Sequence, residues 1–314
     1  MSTDNAVRTA PGCSTRRVTV TPGMCGSGAL LFGRLGDWTW EAVREACRTN
    51  VFQARTASGA PTYLSFYYFH ILGDRGLDPY RLTFGDELEV TSRVFDFGRS
   101  SVLTLHRLAR PDAGVVPGEL AVEELFERRR PGCAYVQNFN RWISRGRTGS
   151  NHGLVEATPA GFEHTHLPRL PSVHSPRELC GIARRTGSFH PDGVPGFSPA
   201  GPVAVTTYRL DPVRDINGVG LTYFAAYFSL VDTALLDWWR RAGRTDRQFL
   251  GRGLLEHRLG YFGNADVGAT LAISLRVWRS DTAPDVELAD VAVREAGSDR
   301  LLAVASVRLR TVPE

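Results

Sequence analysis

The sequence predicts an α+β protein built from two tandem copies of one plan. Three observations lead there. The chain has 314 residues, and roughly 150 residues make a typical domain, so two domains are expected. Each half carries an aromatic, apolar stretch followed by segments of alternating hydrophobicity. Short matches also recur between the halves in the same order. Thr62-Tyr63 and Tyr67 return as Thr222-Tyr223 and Tyr227, and Arg93-Val94-Phe95 as Arg276-Val277-Trp278. Gly85 and Leu88 match Gly268 and Leu271, Leu120-Ala121-Val122 matches Leu302-Ala303-Val304, and Pro131 matches Pro313. The offsets leave an insertion near Ala242 to Arg258 in the second copy.

In chain order, Met1 to Thr15 is polar, with no apolar stretch of the secretory kind. Arg17 to Val20 reads as a strand. Trp38 to Arg48 reads as an amphipathic helix, with Glu41 and Glu45 near its positive end. Tyr63 to Leu72 is apolar all round, which fits a buried helix and also admits a strand. Its counterpart is Tyr223 to Leu236, read as a buried helix. Leu88, Val90, Val94 and Phe95, then Val102, Leu103 and Leu105, alternate as antiparallel strands do. Leu271, Ile273, Leu275 and Val277 repeat that pattern. Leu120 to Phe126 and Leu301 to Leu309 read as the closing strands. A buried helix followed by strands that wrap it is an α+β plan. Gly132 to Gly201 is too long for an ordinary loop and reads as a crossover with structure of its own. The expected domains are 17–131 and 201–314, joined by 132–200.

Composition narrows the function classes. Apolar residues make up 42% and charged residues 22%, as in ordinary globular proteins. No apolar run reaches the ~18 residues of a membrane span. The five cysteines are odd in number and scattered, which predicts free thiols and a cytoplasmic protein. With no Cys-x-x-Cys pair, and with His164-Thr-His166 as the one compact histidine pair, no metal site is expected. A net charge of +4, carried by dispersed arginines, is too mild to indicate nucleic acid. It suits phosphates or an acidic partner. Glu123, Glu124 and Glu127 read as a solvated strand edge rather than a base.

GAPTYLSFYYFHIL with FGDELEVTSRVF, and DINGVGLTYFAAYFSL with VGATLAISLRVW, resemble the hot-dog superfamily, in which a sheet wraps a central helix. Asp215-x-Asn217-Gly218-Val219 looks like that superfamily's Asp-x-x-Gly-His lead-in, with Val219 in the histidine position. The whole chain resembles the bifunctional acyltransferase/decarboxylases of leinamycin-type polyketide biosynthesis, which are double hot-dog proteins. PTYLSFYYFH carries most of that likeness.

The resemblance implies a cofactor-free enzyme that takes methylmalonyl-CoA. The acyl group is loaded on a tyrosine and decarboxylated, and propionyl passes to an acyl carrier protein. Tyr63 corresponds to that tyrosine. Placed at a helix start after Pro61, its phenolate would gain from unpaired amides. Asn217 and Gly218 are the candidates for holding the enolate oxygen, although Asn-Gly is also a plain turn signal. Thr62, Thr222 and Tyr223 are the expected substrate contacts, with Tyr223 helping to desolvate the departing carboxylate. Gly23 to Gly28 lacks the Gly-Lys-Ser/Thr of a phosphate loop and is a weak candidate to line the pantetheine path. Arg141, Arg145 and Arg147 form a basic cluster suited to CoA or to the carrier. Glu256-His257 reads as an exposed helix end. A homodimer is one way for the double copy to assemble. Two alternatives remain: a thioesterase or dehydratase using Asp215, and a non-catalytic acyl-binding module.

Overall fold

The computed structural model describes residues 10–26, 28–146 and 149–312; Arg147 and Pro313 lie outside them. Its strands are β1 (Cys13–Thr19), β2 (Tyr63–Leu72), β3 (Glu87–Asp96), β4 (Ser101–Ala109) and β5 (Cys133–Arg145) in the first half. Short strands β6 (Leu154–Glu156) and β7 (Phe197–Pro199) belong to the connection. The second half adds β8 (Ala204–Arg209), β9 (Gly253–Tyr261), β10 (Thr270–Ser280), β11 (Val286–Glu295) and β12 (Arg300–Arg310). The helices are α1 (Gly28–Cys47), α2 (Val122–Phe126), α3 (Arg177–Thr186), α4 (Ala226–Arg241) and α5 (Asp246–Leu250).

All named pairings are antiparallel and form one sheet in the order β1-β3-β4-β5-β2-β9-β12-β11-β10-β7, with β8 also on β10 and β6 on β5. The order reads alike from either end, so the halves are related by a pseudo-twofold axis between β2 and β9. Each half is a β-α-β-β-β-β unit whose helix lies on the inner face of the sheet. α1 and α4 meet there, with Phe32 and Phe228 ring centroids 4.8 Å apart. They share one core with Phe66, Phe69, Ile71, Leu259 and Val307. On the outer face, Cys180 and Ala183 of α3 pack with Tyr68, Phe139 and Val304. The expected duplicated α+β architecture is therefore present.

The seam is short. Only Tyr68 to Leu72 of β2 pairs with Gly260 to Glu256 of β9. Across it, His70 Nε2 and Glu256 Oε1 lie 2.8 Å apart, and Glu256 also meets Arg258 and Arg308. The first residues of β2, Tyr63 to Tyr67, have no partner on β9. They stand beside a gap where the two strands part.

Several expectations need correction. Tyr63 to Leu72 is a strand, broken by a bulge between Phe66 and Tyr68. Leu64, Phe66 and Phe69 face the helices, while Tyr68 faces α3. Both faces are covered, so the strand is apolar all round and mimics the pattern of a buried helix. The first central helix is instead α1, of which Trp38 to Arg48 marks only the second half. Its start is hidden by Gly28, Gly33 and Gly36, poor helix formers. They are set by packing: a Cβ at Gly36 would stand 2.2 Å from the Phe224 ring. Leu120 to Phe126 contains the turn of helix α2 rather than a strand, and Glu124 there receives Arg107 and Arg130. The closing strand of the first half is β5, which pairs with β4 and β2 and lies beyond the expected boundary at 131. Of the sequence matches, Arg93–Phe95 and Arg276–Trp278 occupy equivalent strands; Thr62–Tyr67 and Thr222–Tyr227 do not. Glu256-His257 lies within β9 and is not a helix end, and β9 itself occupies the expected insertion.

Candidate functional site

The gap between β2 and β9 opens into a cavity of about 220 Å³. Ser65, Phe66 and Tyr67 line it from β2, and Arg141 and Ile143 from β5. Thr222, Phe224 and Tyr227 line it from the start of α4, and Tyr261 to Asn264 from the end of β9. Leu154, Val155 and Glu156 of β6 close one side, and Arg184 of α3 stands at the edge. A wider outer compartment of about 430 Å³ continues from it, sharing Leu154, Arg184, Phe262, Gly263 and Asn264. Asn151, His152, Arg300 and Leu301 complete that part.

The start of α4 is the chemical focus. No side chain caps it; the Ala226 and Phe228 amides donate to the carbonyls of Tyr223 and Ala225, and the helix dipole places a partial positive charge at this end. The lead-in segment is held by Asn264, whose Oδ1 accepts from the Thr222 amide at 2.9 Å and whose Nδ2 donates to the Thr222 carbonyl at 3.2 Å. Tyr261 Oη donates to the Phe224 carbonyl at 3.2 Å. Tyr227 sits in the first turn, 1% exposed. Its ring meets Tyr261 edge-on, with centroids 5.5 Å apart. Its hydroxyl makes no hydrogen bond of ordinary geometry among the described residues, and the Thr222 side chain is its polar neighbour. Burial raises that hydroxyl well above the ordinary phenol range, so at neutral pH it is a proton-bearing donor. A buried hydroxyl without a well-formed hydrogen bond is costly, and here it belongs to a cavity-lining residue.

The residues expected from sequence divide. Thr222 lines the cavity. Tyr223 adjoins Phe224, with centroids 4.8 Å apart, and packs against Gly33 of α1. Burial, and then Asp37, push its hydroxyl up to about 12. Tyr63 shares a strand face with Ser65, two residues on, and its cross-strand partner Ile143 lines the cavity. Tyr63 is not itself among the lining residues, and it lies on a strand. The helix-start argument for its activation does not hold. Thr62 anchors the chain, its hydroxyl donating to the Ala157 carbonyl at 2.6 Å with the Ile143 carbonyl 3.1 Å away. Asn217 Oδ1 accepts from the amides of Val219 and Leu221, which closes a turn containing Gly218. Neither residue lines the cavity. Asp215 Oδ2 accepts from Tyr208 Oη and the Asp211 amide and also stands apart from the lining. The described residues of Gly23 to Gly28 are not among the lining residues either, and Ser27 lies outside the described residues.

Glu156, Arg184 and Asn264 carry no local sequence signal. They come from the crossover and from a loop after β9, and only the fold brings them together. Arg141 lies with its guanidinium 4.0 Å from the Tyr67 ring centre. Among the crossover histidines, His164 meets Asp96, His152 meets Glu295 and His190 meets Ser306.

A sheet with two inner-face helices and a cavity at a helix start between two halves defines a double hot-dog protein. The family model of the LnmK N-terminal hot-dog fold domain matches residues 15–191, more than half of the 314 residues. The chain belongs to that family. Its fold is similar to solved structures along nearly its full length. One, described as an oleoyl thioesterase from Lactobacillus plantarum, is 13% identical with a TM-score of 0.61 and covers 98% of each chain. The 12:0-ACP thioesterase from Umbellularia californica is 10% identical with a TM-score of 0.54, covering 96% of this chain and 98% of its own. An acyl-ACP thioesterase from Bacteroides thetaiotaomicron is 12% identical with a TM-score of 0.52, covering 95% and 98%. No curated protein matches the chain.

Proposed function

We propose that the chain is an acyl-thioester-processing enzyme, and specifically a bifunctional acyltransferase/decarboxylase acting on methylmalonyl-CoA. The observation that carries the chemistry is the buried Tyr227 hydroxyl beside the uncapped start of α4, in the cavity between the halves. Such a donor suits an oxygen that gains charge during reaction. Family membership and the acyl-ACP thioesterases of similar fold support a thioester substrate.

In this reading the Tyr63 hydroxyl attacks the thioester carbonyl. The C–S bond breaks, and CoA leaves as the thiol with the phenol proton. The bond from the α-carbon to the carboxylate then breaks. Its electron pair passes to the carbonyl oxygen, giving an enolate, and carbon dioxide departs. The enolate oxygen is held by Tyr227 Oη at the positive end of α4, and the α-carbon takes one proton. The thiol of a carrier-protein phosphopantetheine attacks the propionyl ester, the C–O bond breaks, and Tyr63 regains its proton. Asn217 and Gly218 act here as a positioning turn ahead of Thr222. Phe66, Phe224 and Tyr223 supply an apolar surround for the departing carboxylate. Neither a metal nor an organic cofactor enters the scheme.

Intact-protein mass spectrometry after incubation with methylmalonyl-CoA tests it. The wild type should gain an acyl adduct that peptide mapping places on Tyr63, and Tyr63→Phe should not. Equal release of free CoA by both proteins, with no adduct, would overturn the acyl-tyrosine step.

A further inference from the structure

We infer that Arg184 reads the 4′-phosphate of a phosphopantetheine arm at the mouth of the cleft. The inference deepens the reading above by assigning a subsite within it. Arg184 borders both the inner and the outer compartment. Among the described residues it makes neither an ion pair nor a side-chain hydrogen bond, whereas Arg300 beside it is committed to Glu295 and to the Asn264 carbonyl. The charges that line the two compartments differ. The inner one carries Glu156, bonded to Ser100, opposite Arg141, which is stacked on Tyr67. These charges offset each other. Among the described residues no carboxylate lines the outer one, where Arg184 and Arg300 stand with His152.

The inner wall therefore gives an anion no net attraction, and an anion is favoured at the boundary, where the Arg184 guanidinium stands free of ion pairs and ring contacts among the described residues. A guanidinium binds phosphate through a two-pronged, charge-assisted contact. The inner lining of Phe66, Tyr67, Phe224 and Phe262 suits the neutral pantetheine portion instead. CoA and a loaded carrier protein share that arm and that phosphate. One subsite thus serves the donor and then the acceptor.

Titration calorimetry on the intact chain tests this with phosphopantetheine, pantetheine and 3′,5′-ADP. The wild type should bind phosphopantetheine about tenfold more tightly than pantetheine. Arg184→Met should remove that advantage and leave pantetheine affinity unchanged; Arg184→Lys should restore only part of it. Arg184 is exposed, so an unchanged melting temperature is expected. Equal weakening for pantetheine, or a loss seen with 3′,5′-ADP in place of phosphopantetheine, overturns the assignment. CoA and a holo carrier protein should both bind Arg184→Met more weakly, and a loss confined to one of them overturns the shared use. These bindings need no turnover. A chain that binds phosphopantetheine through Arg184 but leaves methylmalonyl-CoA intact keeps this subsite and loses the reading above.

Discussion

Tyr227 and Tyr63 place different demands on the same cavity. Tyr227 is a buried donor with no well-formed hydrogen bond among the described residues, so removing its hydroxyl costs the fold little. Tyr227→Phe should leave the melting temperature unchanged or slightly raised. It should lower kcat for decarboxylation by about a hundredfold, the scale of one lost oxyanion donor, with little change in KM. Steady-state kinetics beside a thermal melt separate these effects. The sequence draws notice to Tyr227 only through a false repeat with Tyr67. Its burial depends on Tyr261 and Thr222, which meet only after β9 and α4 fold. Thr222 was legible because it sits at the start of an apolar run that really is a helix. Tyr63 was legible as a residue, through its segment, while its setting was misread. Asn264 was invisible because its work is done on a backbone 42 positions away.

At the scale of elements, β4 and β9 each bury a histidine. His106 lies under α1 between Thr39 and Ser92, with contacts of 2.9 and 2.8 Å. His257 lies edge-on to Phe228 at 4.8 Å, with neither ring nitrogen bonded. Burial pushes both down to about 3. Above pH 6.5 both are neutral folded or unfolded. As the pH falls from 6.5 toward 3, the unfolded chain takes up protons that the fold refuses. Stability then falls by at most about 1.4 kcal/mol per pH unit for each histidine. Asp290, raised to about 6 by burial, acts in the opposite sense over part of that range. His257→Leu should therefore flatten the loss of melting temperature between pH 6.5 and 5. It should also raise stability at pH 7 by about 1 kcal/mol, since two unsatisfied nitrogens leave the core. Strands with one clear buried face, such as β10 and its Leu271, Ile273, Leu275 and Val277, were readable from period alone. β2 and β5 were not, because sheet center and crossover cover both of their faces.

For the molecule as a whole, the five-residue seam makes Glu256 a joint between halves. Its carboxylate meets His70 in a hydrogen bond and Arg258 and Arg308 in ion pairs, and these contacts hold it well below the usual carboxylate range despite burial. Glu256→Leu leaves two partly exposed guanidinium groups without their carboxylate and should lower unfolding stability by about 1 kcal/mol, measured by urea titration. The duplication itself was legible, because fused copies keep similar strand patterns. The paired segments were assigned wrongly where aromatic composition was mistaken for position.

The pseudo-twofold axis gives the molecule a second place that mirrors the cavity, at the start of α1 beside the first residues of β9. There the Tyr80 ring packs against Phe32 and Gly28, beneath the guanidinium of Arg252. Asp78 accepts from the Leu254 amide. What is open in one half is plugged in the other. A symmetric homodimer must carry every substitution twice, so its two clefts rise or decay together. Fusion of the copies in one chain removes that bond. One half is free to become masonry while the other specialises, and ligand titration of the chain should saturate at a single equivalent.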